Sequence, residues 1–263
     1  MAIVLTDDKH YKDIANKIRE IKQTNETMFP NEIAEKVQDV FEVGKKSQYD
    51  AFWDSYQSKG IAKKYHYAFC GICWSDNNFK PKYDIVFSEA DGGMAFYNNQ
   101  VTNIKGQLEE CGVVLDTSRA TGLYQAFMYA MTTELPQISV VNSTNLYSLF
   151  GGCSKLKRVD KLILKSDGTS PHLTSVFASC SALEHIEFEG LIGSSITMSS
   201  CSKLSVESAK SAINCLANYA GTDNEGVYSF KLHANTWTAL EADSTAPNGS
   251  TWKEYVQSLG WLI

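Results

Sequence analysis

The 263-residue chain predicts an α+β fold: short helices at the N-terminus, an irregular β-solenoid in the middle, and a closing cap of helix and strand. Two observations carry this. First, the stretch Leu146-Tyr147-Ser148-Leu149-Phe150-Gly151-Gly152-Cys153-Ser154-Lys155-Leu156 returns 27 residues later as Leu173-Thr174-Ser175-Val176-Phe177-Ala178-Ser179-Cys180-Ser181-Ala182-Leu183, with Leu, Ser, an aliphatic residue, Phe, Cys, Ser and Leu in register. Second, the flanking segments carry apolar residues at helical spacing. The order implies an attachment segment at 1–60, a connecting segment at 61–93, the solenoid at 94–204 and the cap at 205–263.

In the first segment Tyr11, Ile14, Ile18 and Ile21 fall on one helical face, with Lys12, Lys17, Arg19 and Glu20 largely opposite. Pro30 suits the first turn of a second helix, whose stripe is Ile33, Val37, Val40 and Phe41 and whose stop is Gly44. Tyr49, Phe52, Trp53 and Tyr56 mark a third. Helices this short are marginal alone and should pack on each other or on a partner.

A looser copy of the repeat runs from Leu123 through Phe127 to Leu135 and Ile138, a partial one is Cys201-Ser202-Lys203-Leu204, and Val101/Ile104 suggests an earlier turn. One coil cannot bury its Leu and Phe alone, so stacked coils should share a core. Phe127, Phe150 and Phe177 are expected in one column, Leu135, Leu156 and Leu183 in another, with Cys153 and Cys180 between. Short strands should follow at Val159–Leu164 and Ile186–Glu189, and Asp167-Gly168 should turn. In the cap, Ser205 is a good N-cap for a helix bearing Val206, Ala209, Ile213 and Leu216, with Gly221 as its end. Tyr228, Phe230 and Leu232 alternate as a strand. Trp252, Tyr255, Val256 and Leu259 suggest a last helix stopped by Gly260, and Trp261-Leu262-Ile263 a final strand.

Composition bounds the function classes. The chain holds 24 Lys+Arg against 30 Asp+Glu, a formal charge of −6, which argues against a nucleic-acid surface. No apolar run is long enough to span a membrane. The segment Met1–Asp8 lacks the basic and long apolar regions of a signal peptide. Seven cysteines cannot all pair internally, so reduced thiols and assembly in a reducing cytoplasm are expected.

The Leu-x-x-Phe-x-x-Cys-Ser-x-Leu pattern resembles the degenerate leucine-rich repeats of bacterial surface proteins of the BspA-like type. The wider order is similar to tail-associated proteins of phages and prophages of gut Firmicutes. The segments that carry this are Ile14-Ala15-Asn16-Lys17-Ile18-Arg19, Phe29-Pro30-Asn31-Glu32-Ile33, Tyr49–Gln57, Phe79-Lys80-Pro81-Lys82-Tyr83-Asp84-Ile85, the repeats, and Lys203-Leu204-Ser205-Val206-Glu207-Ser208. The period is irregular and the Asn ladder of longer repeats is not evident, so horseshoe curvature does not follow. The resemblance implies a non-enzymatic structural or host-recognition protein of the virion, assembled in the bacterial cytoplasm. Its N-terminal helices would meet other tail or particle proteins, and its repeat surface would meet a host protein or glycan. A homo-oligomer is compatible with this. A bacterial cell-surface adhesin is the alternative location and role, and an enzyme or redox protein using Cys70 and Cys73 a further one.

No catalytic constellation stands out. Cys70-Gly71-Ile72-Cys73 lacks a second ligand pair, with only His66 near, and lacks the context of a thioredoxin-like site. His10, His66, His172, His185 and His233 are scattered, without a nucleophile and an acid at motif spacing. Ser154, Ser181 and Ser202 recur with the coil as turn residues. Asp91-Gly92-Gly93 is followed by no phosphate-loop lysine, and Asn25, Asn142 and Asn248 begin glycosylation triplets that matter only in a eukaryotic secretory pathway. No catalytic residue, cofactor or metal site is therefore expected. Lys155, Lys157, Arg158, Lys161 and Lys165 gather on one coil and Glu184, Glu187 and Glu189 on the next. They form either two solvated faces attracting each other or a polar recognition strip. Tyr124, Tyr129 and Tyr147 either line that strip or sit half-buried beside the Phe column. The partner-binding candidates are thus Ile14, Ile18, Ile33 and Val37 for attachment, and Tyr124, Tyr147, Lys157 and Arg158 for recognition.

Overall fold

The repeat is a turn, not a strand. In Leu123–Ala130 the N–H groups of Ala126, Met128 and Ala130 close three-residue turns onto the carbonyls of Leu123, Gln125 and Phe127, at 2.9 to 3.1 Å. The N–H groups between them, on Leu123, Gln125, Phe127 and Tyr129, donate to the carbonyls of Asn145, Tyr147, Leu149 and Gly151 in the next coil, each at 2.9 Å. Seven of the eight donors in the run are therefore used, three within the coil and four between coils.

The computed structural model describes residues 69–71, 74–87, 93–169, 171 and 173–263. The chain divides into two units, Met1–Ser58 and Lys59–Ile263, and the described residues all belong to the second. They are a mixture of helix and strand, and residues 85–189 form a β-solenoid of about four turns. The elements in order are β1 (Ile85–Val86), α1 (Ile104–Cys111), β2 (Leu115–Asp116), β3 (Glu134–Leu135), β4 (Ile138–Ser139), β5 (Arg158–Ile163), β6 (His185–Glu189), β7 (Ile196–Met198), α2 (Val206–Asn214), β8 (Phe230–Leu232), α3 (Ala234–Glu241) and α4 (Trp252–Ser258). Strand pairing is parallel throughout.

The alternating turn has left-handed backbone two residues after each column Phe and, in three of the coils, two residues before it. Two residues before it, Met94, Gln125 and Ser148 have φ of 58°, 52° and 52°. Two residues after it, Gly71, Asn98, Tyr129, Gly152 and Ser179 have φ of 87°, 52°, 59°, 73° and 59°. Each non-glycine residue held there costs about 1–2 kcal/mol, offset by the burial that the turn permits. That burial is an aromatic column longer than the repeats suggest. Phe69 stacks on Phe96 at 4.8 Å, Phe96 on Phe127 at 5.1 Å, Phe127 on Phe150 at 5.8 Å, and Phe150 meets Phe177 at 5.7 Å. Stacking thus begins before residue 94, inside the segment that reads as a connection. Ala68-Phe69, Ala95-Phe96 and Ala126-Phe127 are its signature in the sequence.

The repeat cysteine stands three residues after the column Phe. The Cys153 thiol donates to the carbonyl of Phe127 at 2.8 Å, and Cys180 to Phe150 at 3.0 Å. Asn99 does the same one coil earlier with its amide, at 2.7 Å to Phe69.

The second wall holds the strands. β5 lies between β3 and β4 on one side and β6 on the other. Pro136, which has no N–H, separates β3 from β4, whereas β5 runs without a break. Register corrects the second column. Leu135 faces Val159, which faces Ile186. Leu156 and Leu183 belong instead to the corner before the strand, where the carbonyl of Lys157 receives the N–H groups of Glu184 and His185 at 2.9 and 3.0 Å. The aliphatic pattern could not separate two inward positions only three residues apart.

The strand after the first full repeat is replaced by α1, capped by the Asn103 side chain on Gly106 N–H and ended by left-handed Gly112. Beyond β6, α2 starts where Ser205 predicts, its hydroxyl accepting from Ser208 N–H, but it ends at Asn214 rather than running toward Gly221. Its serines finish the sheet edge: Ser208 Oγ accepts from Ile186 N–H at 2.9 Å and Ser211 Oγ from Phe188 N–H at 2.8 Å. Parallel pairing continues from Leu173 to Ile196, from β7 to β8, and from Ser229 to Leu262, which makes one bridge in place of the expected final strand. α4 carries a capping box between Thr251 and Glu254.

Candidate functional site

The thiols are placed for packing. Cys153, Cys180 and Cys201 are buried, and burial pushes the Cys153 and Cys201 thiols up to about 12 and the Cys180 thiol well above its ordinary range. A thiol held protonated is a poor nucleophile and a poor metal ligand. Cys70 follows Phe69 in the first coil, whose Gly71 N–H donates to Tyr97 O at 2.8 Å. Cys73 lies outside the described residues. Among the described residues, no group of three or more His, Cys, Asp or Glu is gathered to hold a metal ion. Ile14, Ile18, Ile33 and Val37 also lie outside the described residues.

Lys157 and Arg158 are exposed at the start of the strand wall. Arg158 Nε reaches Asp160 Oδ1 at 2.7 Å, and Lys105 of α1 reaches Asp160 Oδ2 at 2.8 Å. Burial opposes the ionisation of Asp160, but the hydrogen bonds from Lys105 and Arg158 outweigh it and hold the carboxyl below its usual range. The Asp160 hydrogen bond in turn raises Lys105. Lys161 joins Glu189 at 2.8 Å and Glu187 at 3.1 Å on the next coil, which is the cross-coil attraction expected of two solvated faces. Arg158, Asp160, Lys161, Glu187 and Glu189 are therefore paired within this wall, and Lys155, Lys157 and Glu184 are exposed beside them.

The turn wall is different in kind. Between Asp91 and Lys105, Arg119 and Glu134, Glu134 and Lys155, and Asp167 and Glu184 the sequence holds no Asp, Glu, Lys or Arg. All four column turns from Phe96 to Phe177 fall in these intervals. The outward positions carry tyrosines instead. Tyr147, 53% exposed, stacks on half-buried Tyr124 with ring centres 5.7 Å apart and planes at 16°. Tyr129, 47% exposed, meets Tyr97 edge-on at 5.9 Å. On its other side the Tyr129 ring covers Gly152, where a Cβ would lie 2.3 Å from ring carbon Cδ1. Asn98 and Gln125 are the chain neighbours of Tyr97 and Tyr124, and exposed Thr174 and Ser179 take the positions of Tyr147 and Gly152 in the next coil.

The structure thus brings Tyr124 and Tyr147 together and sets them on a different wall from Lys157 and Arg158, so these four recognition candidates do not form one strip. Tyr97 was missed. Its signal is the frame Ala95-Phe96-Tyr97, which matches Ala126-Phe127-Met128 and lies outside the Leu-and-Cys pattern.

Comparison with protein-family models, with curated proteins and with solved structures returns no match.

Proposed function

We propose that the chain is a non-enzymatic recognition protein of a phage tail or related particle, with the solenoid as the presenting element. The observation that carries this is the contrast between walls. One carries charges paired in part with each other, while the other is free of charge and exposes Tyr129 and Tyr147. Exposed Tyr at low rotamer cost is suited to a contact surface. The buried, protonated repeat thiols support the non-enzymatic part of the reading. The sequence resemblance supports the location: particle attachment through residues 1–60, where the sequence predicts helices, leucine-rich-repeat-like coils, and residues 205–263 as a cap that meets the edge of β6 through Ser208 and Ser211. The test is mass spectrometry of purified particles and of host membranes from an induced culture. The protein is expected in the particles, and deletion of residues 1–43 should remove it from them. Recovery in the membrane fraction alone would replace the particle reading with the surface-adhesin one.

A further inference from the structure

We propose that the solenoid carries a hinge after the turn of Phe177, at which residues 192–263 open as one unit while the turns from Phe96 to Phe177 stay stacked. This goes beyond the recognition reading and does not depend on it. The hydrogen bonds carry it. In the earlier turns the N–H groups of the column Phe and of residues to either side of it cross to the next coil. Those of Met94, Phe96 and Asn98 reach the carbonyls of Tyr124, Ala126 and Met128 at 2.7 to 2.8 Å. Those of Phe150 and Gly152 reach Val176 and Ala178 at 3.0 and 2.7 Å. In the fourth turn the same positions are Ser175, Phe177 and Ser179, and none of their N–H groups meets an acceptor among the described residues. Phe177 is fully buried, so its N–H is withdrawn from water without compensation.

Chain length is the cause. Ile196 bridges Leu173, and Ser205 N–H reaches Glu184 O at 2.9 Å, so both ends of the following stretch are in step with the fourth turn. Between those points the fourth turn spans twelve residues, Leu173–Glu184, and its successor only ten, Ile196–Ser205. The shorter path does not bring its carbonyls to the three donors. Elsewhere around the coil the junction relies on serine side chains. Ser208 and Ser211 take the N–H groups of Ile186 and Phe188, and Ser194 Oγ donates to Pro171 O at 3.0 Å. Beyond the junction, firmer ties resume. β7 pairs with β8 over three residues, and Ile192 N–H reaches Cys215 O at 2.6 Å. Lys210 of α2 holds Asp243 at 2.6 Å, and Trp261 Nε1 reaches Ala217 O at 2.7 Å. Residues 192–263 are thus bound to one another more firmly than to the fourth turn. The chain enters this unit through Gly190, whose φ of 92° suits glycine and whose conformational freedom suits a pivot.

The experiment is amide hydrogen exchange of the full chain, read residue by residue by NMR in urea below the unfolding midpoint. The amides of β7, β8, α2 and α3 are expected to share one opening reaction. It should be populated about tenfold or more above the reaction that exposes the amides of Phe96, Phe127 and Phe150, and depend less on urea. Phe177, although buried, should exchange at least as fast as β7. Ile138→Val, a mild cut at a fully buried position in β4, should speed exchange at Phe127 and Phe150 by about two- to tenfold. It should leave β7, β8 and α2 unchanged. One common opening for the turns and residues 192–263 at every urea concentration, or equal acceleration of both by Ile138→Val, overturns the hinge. So does exchange of β7, β8, α2 and α3 through unrelated openings, or protection at Phe177 equal to that at Phe127.

Discussion

Truncating Phe127 to Ala tests whether the aromatic column is an energetic unit. Phe127 is fully buried, and its ring is sandwiched between Phe96 at 5.1 Å and Phe150 at 5.8 Å. A buried Phe→Ala change costs about 3–5 kcal/mol through lost transfer energy and residual cavity. Two ring contacts worth about 0.5–1.5 kcal/mol each beyond burial place this site near the top of that range, at about 4–5 kcal/mol. The backbone ladder on both sides, with its hydrogen bonds at 2.7 to 2.9 Å, resists the collapse that would shrink the cavity. With a urea slope of about 2.5 kcal/mol/M, the midpoint should fall by roughly 1.5–2 M. Circular dichroism follows the backbone as a whole, and the fluorescence of single-tryptophan variants that keep Trp74 or Trp261 follows the first coil or the C-terminal segment. Solenoid stability is a sum over neighbouring coils, so the two signals should separate in the variant if coupling between halves is lost. A double-mutant cycle with Phe150→Ala should give a coupling of about 0.5–1.5 kcal/mol. A fall under about 1 kcal/mol, or strict additivity with Phe150→Ala, would refute the column as a source of cooperativity.

Three further outcomes are expected. Ser208→Ala leaves Ile186 N–H without its acceptor at the covered edge of β6 and should cost about 1–3 kcal/mol by denaturant titration, against under about 0.5 kcal/mol for exposed Ser258→Ala. Cys153, Cys180 and Cys201 should resist a disulfide-exchange reagent in the native protein at pH about 8 and all react once it is denatured; fast native labelling of any of them would contradict the packing role. Asp243, hydrogen-bonded to Lys210 at 2.6 Å, is held down to about 2, below its unfolded value of about 3.9. Its contribution is therefore present above about pH 4 and lost as pH falls toward 2, so Asp243→Asn should flatten that part of the acid-stability profile measured by thermal melts.

The stacked coil was legible because its demands fall on few positions. The buried Phe, the Leu that precedes it and the small donor that follows it must recur, and these are what aligned Leu146–Leu156 with Leu173–Leu183. Ser205 was legible too, since an N-cap is a local event. What escaped depended on partners distant in sequence. Leu135 and Leu156 are both inward aliphatic residues, and only pairing with Val159 separates them. The Phe69 and Phe96 turns were hidden because no Leu stands four residues before their Phe as Leu123, Leu146 and Leu173 do in later coils, and because Asn99 fills the cysteine's place with different chemistry and the same hydrogen bond. α1 announced itself only through Asn103 and Gly112, a cap and a stop around a weakly apolar run. On the recognition side, Tyr124 and Tyr147 were found from the repeat frame, but the lack of charge on their wall has meaning only once that wall is known to be continuous.

The same reasoning locates where this fold can vary. In these turns the column Phe is fixed by burial, the position two residues after it by left-handed backbone, and the donor three residues after it, where Asn99, Cys153 or Cys180 supplies one, by its bond to the previous coil. The position three before the Phe faces outward, is constrained by none of these, and is Gly93, Tyr124, Tyr147 and Thr174 in successive coils. A tyrosine there is a choice that folding does not impose, and so is the stack that Tyr124 and Tyr147 make. Tyr129 goes further, because it occupies a position folding does constrain and violates the constraint. Repeat identity in this chain therefore records the requirements of stacking. Departures from it, concentrated in two adjacent coils on one uncharged wall, mark the surface on which binding can be altered with the least disturbance to the core.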